Sequence, residues 1–284
     1  MAHVYLNGAI LEDSAAALSP HERGFLYGDG LFETLRAYGG RLFRLGDHLA
    51  RLRASAEFLR LRVPATDEAI RDAIGALLKA DACPDAYVRL TLTRGAAGRG
   101  MRLDPPENPT LLIVVRPLQA YPADHYRHGL KLIVSAYRQS SHNPLARHKT
   151  LNYLLYLLAR QEATDAGANG AILLNEFGQV TEESAANLFL VREGGLVTPP
   201  AHCGLLPGVA RAVVMELAKG AGIALEERPV AAGELFEAEE LLLTNSLMEV
   251  MPVRHVDRRA LGVKSPGPVT LRLMAAYRAA TAAD

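Results

Sequence analysis

Short strand-like pieces open the chain: Val4-Tyr5-Leu6 before the turn Asn7-Gly8, then Gly30 to Ala37, where apolar and polar residues alternate up to Gly39-Gly40. The spacing predicts a hairpin or meander. From Leu45 to Leu61 the period changes. Leu45, Leu49, Leu52, Ala56 and Leu59 recur at helical spacing with arginines between them, and Ala69 to Ala80 repeats the pattern. Two amphipathic helices are expected. Tyr87 to Thr93 and Thr110 to Val115 return to strand composition on either side of the glycine-rich stretch Gly95 to Gly100. The first half therefore reads as an α+β unit.

Between Arg116 and Tyr126 neither period holds, and Pro117 and Pro122 stiffen the chain. A linker over residues 118–125 is expected here, between a smaller domain at 1–117 and a larger one at 126–284. The larger half predicts strands at Leu130–Ala136, Gly170–Asn175, Leu188–Val191, Glu240–Thr244 and Glu249–Val253. Helices are predicted at Leu151–Ala166, at Val209–Ala221 after Pro207-Gly208, and beyond Pro268. No fixed-period repeat is found, which argues against a solenoid. The expected class is α+β (mixed α/β) in two domains, the second a mixed sheet or barrel-like body with helices.

Composition narrows the partners. Thirty-one basic and 31 acidic residues cancel, removing any bulk electrostatic case for nucleic acid or an anionic membrane. The hydrophobic share of 49% in 284 residues is enough for a large core. No basic segment followed by an apolar run marks the N-terminus, and no apolar stretch is long enough to span a bilayer. Cys83 and Cys203 are too few for a disulfide framework. A soluble, cytoplasmic protein is expected.

Several chemistries lose support on motif grounds. The glycines of Gly95 to Gly100 are spaced GxxGxG, the wrong order for a dinucleotide fingerprint, and no Walker lysine follows a glycine loop. His125, His128, His142 and His148 lack a second ligand pair at metal spacing, so no metal is expected. Gly-x-Ser-x-Gly is absent. Two other segments carry more. Lys149 stands in His148-Lys149-Thr150-Leu151-Asn152-Tyr153 where the chain enters a helical stretch, and Thr181-Glu182-Glu183-Ser184-Ala185-Ala186-Asn187 pairs an acid with an amide five residues on. A lone lysine of this kind is ordinarily solvated. Glu182 is the acid suited to hold a proton on a ring nitrogen, and Glu183 beside it reads as solvated.

Together these segments resemble the fold-type IV family of pyridoxal phosphate enzymes, which includes branched-chain aminotransferases, D-amino-acid transaminases and aminodeoxychorismate lyases. The resemblance runs from Arg23-Gly24-Phe25-Leu26-Tyr27-Gly28-Asp29-Gly30-Leu31-Phe32-Glu33-Thr34-Leu35-Arg36 to Gly267-Pro268-Val269-Thr270. It implies pyridoxal 5'-phosphate as cofactor, with Lys149 forming the Schiff base and then shuttling the proton through a quinonoid intermediate. Glu182 matches the carboxylate on the pyridine nitrogen, which keeps the ring an electron sink. Arg51 matches the phosphate-binding arginine, a guanidinium suited to paired donation. In Leu205-Leu206-Pro207-Gly208-Val209-Ala210-Arg211 the proline and glycine precede a helix whose free N–H groups attract anions. The resemblance places the amides of Val209 and Ala210 on the phosphate and Leu206 on the ring face. Ser246, in Thr244-Asn245-Ser246-Leu247-Met248-Glu249, supplies a hydroxyl. Asn187 and Gly208 complete the cofactor set, and Tyr153 serves the phenolic oxygen, one residue nearer the lysine than in branched-chain enzymes.

The resemblance also frames the reaction. Tyr87-Val88-Arg89 resembles the carboxylate-binding Tyr-x-Arg of branched-chain aminotransferases, whereas Tyr27-Gly28-Asp29-Gly30 departs from their Tyr-Gly-Thr. Arg99-Gly100-Met101 lacks the histidine of the D-specific Arg-x-His trap. Gly98-Arg99-Gly100 and Asn245-Ser246-Leu247-Met248 have close echoes among the lyases, but Tyr153 stands where enteric-type lyases carry arginine. The resemblance therefore implies transfer of an amino group from an L-α-amino acid, aliphatic or branched-chain, to 2-oxoglutarate. The first alternative is aminodeoxychorismate lyase, releasing pyruvate and 4-aminobenzoate; a D-amino-acid transaminase ranks below it, and the non-enzyme alternative is a relative that binds the cofactor without turnover. Phe32, Tyr87, Arg89, Arg99, Leu247 and Met248 are the substrate-side candidates, small amino and keto acids the partners, and a homodimer the implied assembly.

Overall fold

A computed structural model describes residues 2–96, 100–104, 107–262 and 264–283. The chain divides into two compact units, one running to Gln119 and including His148–Asn152, the other comprising Ala120–Arg147 and Tyr153–Ala283. The mixed α/β class is the observed one, with helices packed on each of two sheets.

In the first unit, β1 (His3–Leu6), β2 (Ala9–Glu12), β3 (Gly30–Tyr38), β4 (Arg41–Leu42), β5 (Ala86–Thr93) and β6 (Thr110–Pro117) form an antiparallel sheet in the order β2-β1-β6-β5-β3-β4. A short helix, α1, covers Arg23–Tyr27; α2 spans Leu45–Phe58 and α3 Asp67–Ala80. Register separates the sheet's faces. Leu31, Leu35, Val88, Leu90, Leu92, Leu111, Ile113 and Val115 are buried in one core with Leu49 and Leu52 of α2 and Ile70, Ile74 and Leu77 of α3. The opposite phase carries Phe32, Thr34 and Arg36, with Arg89 across from Thr34 and Tyr87 across from Arg36. Helix α3 begins two residues before the predicted Ala69 because Thr66 caps it, accepting from Ala69 N at 3.2 Å.

His148–Asn152 extends along β3 instead of opening a helix. Leu31 bridges Thr150, Phe32 N donates to the Lys149 carbonyl at 2.8 Å, and Leu151 N donates to the Gly30 carbonyl at 3.0 Å. These bonds put Lys149 in the first unit, whereas the predicted boundaries placed it in the second. They also delay the predicted Leu151–Ala166 helix, which begins at Leu154.

In the second unit the linker expectation is revised by α4 (Ala123–His128), a helical turn that begins inside it after Pro122. Strands β7 (Leu130–Arg138), β8 (Gly170–Leu174), β9 (Val180–Glu183), β10 (Asn187–Arg192), β11 (Gly195–Thr198), β12 (Leu225–Glu227), β13 (Glu240–Asn245) and β14 (Glu249–Val256) lie in the order β12-β11-β10-β13-β14-β7-β8-β9, with β15 (Arg259–Ala260) beside β14. Pairs β7–β8, β7–β14 and β11–β12 are parallel. Helix α5 (Leu154–Asp165) packs on β7 and β8, α6 (Val209–Gly220) on β13, and α7 (Pro268–Ala283) on β14. The sheet core gathers Leu188, Leu190, Leu241, Leu243, Met251, Val253 and Ile172.

Candidate active site

In the first unit, β3 splits chemistry between its two phases. Phe32 points to the polar face, with the Lys149 ammonium nitrogen 4.5 Å and the Arg89 guanidinium carbon 3.9 Å from its ring centroid. One aromatic ring thus meets two cations, a favourable contact for each. Tyr87 stands on the same face. Asn152 Nδ2 donates to the carbonyl of Gly28 at 3.1 Å, where the chain turns with a φ of +64° that favours glycine. Arg99 lies outside the described residues, while Gly100 accepts from Arg23 at 2.8 Å.

Glu33 occupies the other phase, directly across from Leu90 in the apolar core. A buried carboxylate there needs partners. Arg51 supplies Nε at 2.8 Å and Nη2 at 2.6 Å, and His48 Nδ1 lies 2.7 Å from Oε2. Burial is the largest single influence and would raise the Glu33 pKa. The Arg51 charge and the bonds from His48 and Arg51 together outweigh it and hold the group down at about 2. Burial lowers the His48 pKa, and the Arg51 and Lys149 charges add to that against Glu33. His48 is therefore neutral at pH 7, and its contact with Glu33 is a hydrogen bond donated by Nδ1–H.

In the second unit, Glu182 ends β9 and is 5% exposed. Its Oε1 accepts from the Tyr156 hydroxyl at 3.0 Å, and its Oε2 from Asn187 Nδ2 at 3.3 Å and from Leu206 N at 3.2 Å. Asn187 Nδ2 also donates to the Leu206 carbonyl at 2.8 Å. A Cβ at residue 208 would overlap Asn187 Oδ1, so any larger residue there displaces that amide or the start of the next helix. Helix α6 follows at once. Gly208 has no side chain to cap it, and the first intrahelical bond runs from Ala212 N to the Gly208 carbonyl at 3.0 Å, so the Val209 and Ala210 amides precede it. The Thr244 hydroxyl, on the residue across from Asn187, is buried without a partner among the described residues. Asn245 Oδ1 shapes the Ser246–Met248 turn by accepting from Leu247 N at 2.9 Å and Met248 N at 2.8 Å. Tyr153 precedes α5 and packs on Tyr156, ring centroids 4.8 Å apart.

Glu183 corrects one expectation. It is 1% exposed, not solvated, because Ser184 Oγ at 2.5 Å, Ala185 N at 2.8 Å and Arg160 Nη1 at 3.3 Å all donate to it. Sequence reasoning also passed over Glu33, His48 and Tyr156. The signal for Glu33 was a carboxylate in the apolar phase of a strand. For Tyr156 it was a second tyrosine one helical turn after Tyr153.

A family model described as amino-transferase class IV matches residues 30–256, a span that includes Lys149, Glu182 and the start of α6. The chain belongs to the class IV aminotransferase family. Its relatives in that family include a putative branched-chain-amino-acid aminotransferase of Methanocaldococcus jannaschii, 36% identical over 277 residues that cover 97% of this chain and 95% of that protein. Among solved structures, a T.th. branched-chain amino acid aminotransferase with pyridoxamine 5'-phosphate matches with a TM-score of 0.93 and 30% identity, covering all of this chain and 95% of the other. A putative 4-amino-4-deoxychorismate lyase of Legionella pneumophila matches with a TM-score of 0.88 and 25% identity, covering 94% of this chain and 97% of the other. No helix among the described residues of this class IV aminotransferase is long and apolar enough to cross a membrane.

Proposed function

We propose that this class IV aminotransferase uses pyridoxal 5'-phosphate to move the amino group of an aliphatic L-α-amino acid to 2-oxoglutarate. The observation that carries the reading is the Glu182 site: a buried carboxylate tied through Asn187 and Leu206 to the uncapped end of α6. The residues fit such a group. Gly208 leaves room for the Asn187 amide beside the helix end, the Thr244 hydroxyl across from Asn187 lacks a partner among the described residues, and the free amides at the start of α6 are donors that suit an anion.

When bound, the cofactor supplies an aldehyde for amines and a ring that accepts electrons. Lys149 Nζ binds it and then carries the substrate α-proton, acting as general base and acid. Glu182 holds the proton on the ring nitrogen. Arg51, the Val209 and Ala210 amides and the Ser246 hydroxyl take the phosphate, Leu206 covers the ring, and Tyr153 serves the phenolic oxygen. Arg89 and Tyr87 take the substrate carboxylate, with Arg99 a further candidate. Phe32, Leu247 and Met248 form apolar walls that select an aliphatic side chain and exclude water.

Borohydride treatment of the loaded protein should fix the label on Lys149; label elsewhere overturns the reading. Leucine with 2-oxoglutarate should yield keto acid. The likeness to the Legionella lyase supports a second reading, in which the same residues release pyruvate and 4-aminobenzoate from aminodeoxychorismate. Aminobenzoate release without transamination would establish that reading instead.

A further inference from the structure

The Tyr156 hydroxyl donates to Glu182 Oε1 from α5, while the two donors on Oε2 come from Asn187, which opens β10, and from the backbone of Leu206. The carboxylate is therefore held from two sides. The phenol is the donor in this pair, the role that an ionised carboxylate, which only accepts, requires of its partner. Burial first, and then the Glu182 charge, push the phenol's pKa far up, so it keeps its proton at any working pH. Tyr156 also lines a cavity of about 170 Å³ with Tyr121, His125, Arg160 and Glu183, where the last two are bonded to each other at 3.3 Å. Tyr153 packs on its ring, and a phenylalanine would keep that packing while losing the donor.

We propose that Tyr156 is a positioning residue that holds the Glu182 carboxylate ionised and fixes the rotation of its plane through Oε1. The inference rests on the reading of Glu182 as the ring-nitrogen partner. A donor to a carboxylate favours its charged form over its acid form. Glu182 then competes weakly for the proton of its partner nitrogen, and that proton stays on the ring. Tyr156 lies on α5, beyond the segment from His148 to Tyr153.

The test reads Glu182 directly in the cofactor-free full chain. Carboxyl-carbon NMR with labelled glutamate, the signal assigned by its loss in Glu182→Gln, gives the pH at which that carboxyl titrates. Losing a hydrogen bond to a charged group predicts that Tyr156→Phe moves the midpoint up by about one pH unit. A 3-fluorotyrosine at 156, a more acidic and stronger donor, should move it down. Shifts in opposite directions establish the inference, and an unmoved midpoint, or shifts of one sign, overturns it; the fluorinated chain decides alone if the phenylalanine variant fails to fold. In the loaded enzyme, Tyr156→Phe should lower kcat about tenfold with KM for the amino acid within about twofold. If Glu182→Gln binds pyridoxal phosphate with unchanged affinity and absorbance, the reading of Glu182 fails, whatever Tyr156 does to its titration.

Discussion

Glu33 accepts both Nε and Nη2 of Arg51, at 2.8 and 2.6 Å, from within the apolar phase of β3. A paired contact of this kind fixes the plane of the guanidinium as well as its place. The arginine proposed for phosphate is thus oriented by a carboxylate that itself never meets solvent.

Breaking that pair leaves a charge without its partner in a low-dielectric setting. Glu33→Gln should destabilise the chain by about 3 kcal/mol, since removing one member of a buried pair costs roughly that much. Denaturant unfolding followed by circular dichroism checks it, and a loss below about 1 kcal/mol would mean that Arg51 re-pairs.

Acid should weaken the fold in two stages. His48 and Glu33 both have folded pKa values below their ordinary ones, 6.5 and 4.5, so each contributes stability above the ordinary value that falls as the pH drops. Stability should begin to fall below pH 6.5 as unfolded His48 takes a proton, and fall again between pH 4.5 and about 2 through Glu33. The second stage is worth on the order of 3 kcal/mol. His48→Gln should remove the first stage and leave the second, as read from melting temperature against pH.

Gly208→Ala forces a methyl onto Asn187 Oδ1. Relief requires Asn187 or the start of α6 to move, at about 1–3 kcal/mol of stability for an overpacked site. Affinity for pyridoxal phosphate should fall at least about tenfold if the helix end binds the phosphate. Binding of unphosphorylated pyridoxal, measured by absorbance titration, should change much less.

Arg89 rests on Phe32 beside Lys149, and its assigned partner is the substrate carboxylate. Arg89→Gln should raise KM for the amino acid and for the keto acid by about tenfold, the worth of a charged hydrogen bond, without altering cofactor affinity. Equal loss of cofactor affinity would show that the residue holds the lysine in place instead.

Much of this was legible because the informative residues follow simple periods. Alternation in Gly30–Ala37 and the motif Tyr87-Val88-Arg89 put Phe32 on one strand and Tyr87 and Arg89 on another, and the register brings them to one face. What sequence could not show was neighbourhood. Glu182 and Glu183 are adjacent acids with the same letter, and both are buried, one under Tyr156 and Asn187, the other under Ser184 and Arg160. Strand β9, Val-Thr-Glu-Glu, is buried at every position and so carries no alternation to read. The start of α5 was misplaced because Leu151 continues an apolar spacing, while its amide is already spent on Gly30.

Asn187 reaches Glu182 and Leu206 with one nitrogen and confronts Gly208 with its oxygen, so a single amide plane spans three residues of the site. Turning that plane by half a revolution would set oxygen against carboxylate and carbonyl, three acceptors with no proton among them. The side chain therefore has one usable orientation, and it acts as a rigid strut. Whatever displaces that amide disturbs its contacts with Glu182 and with Leu206 together.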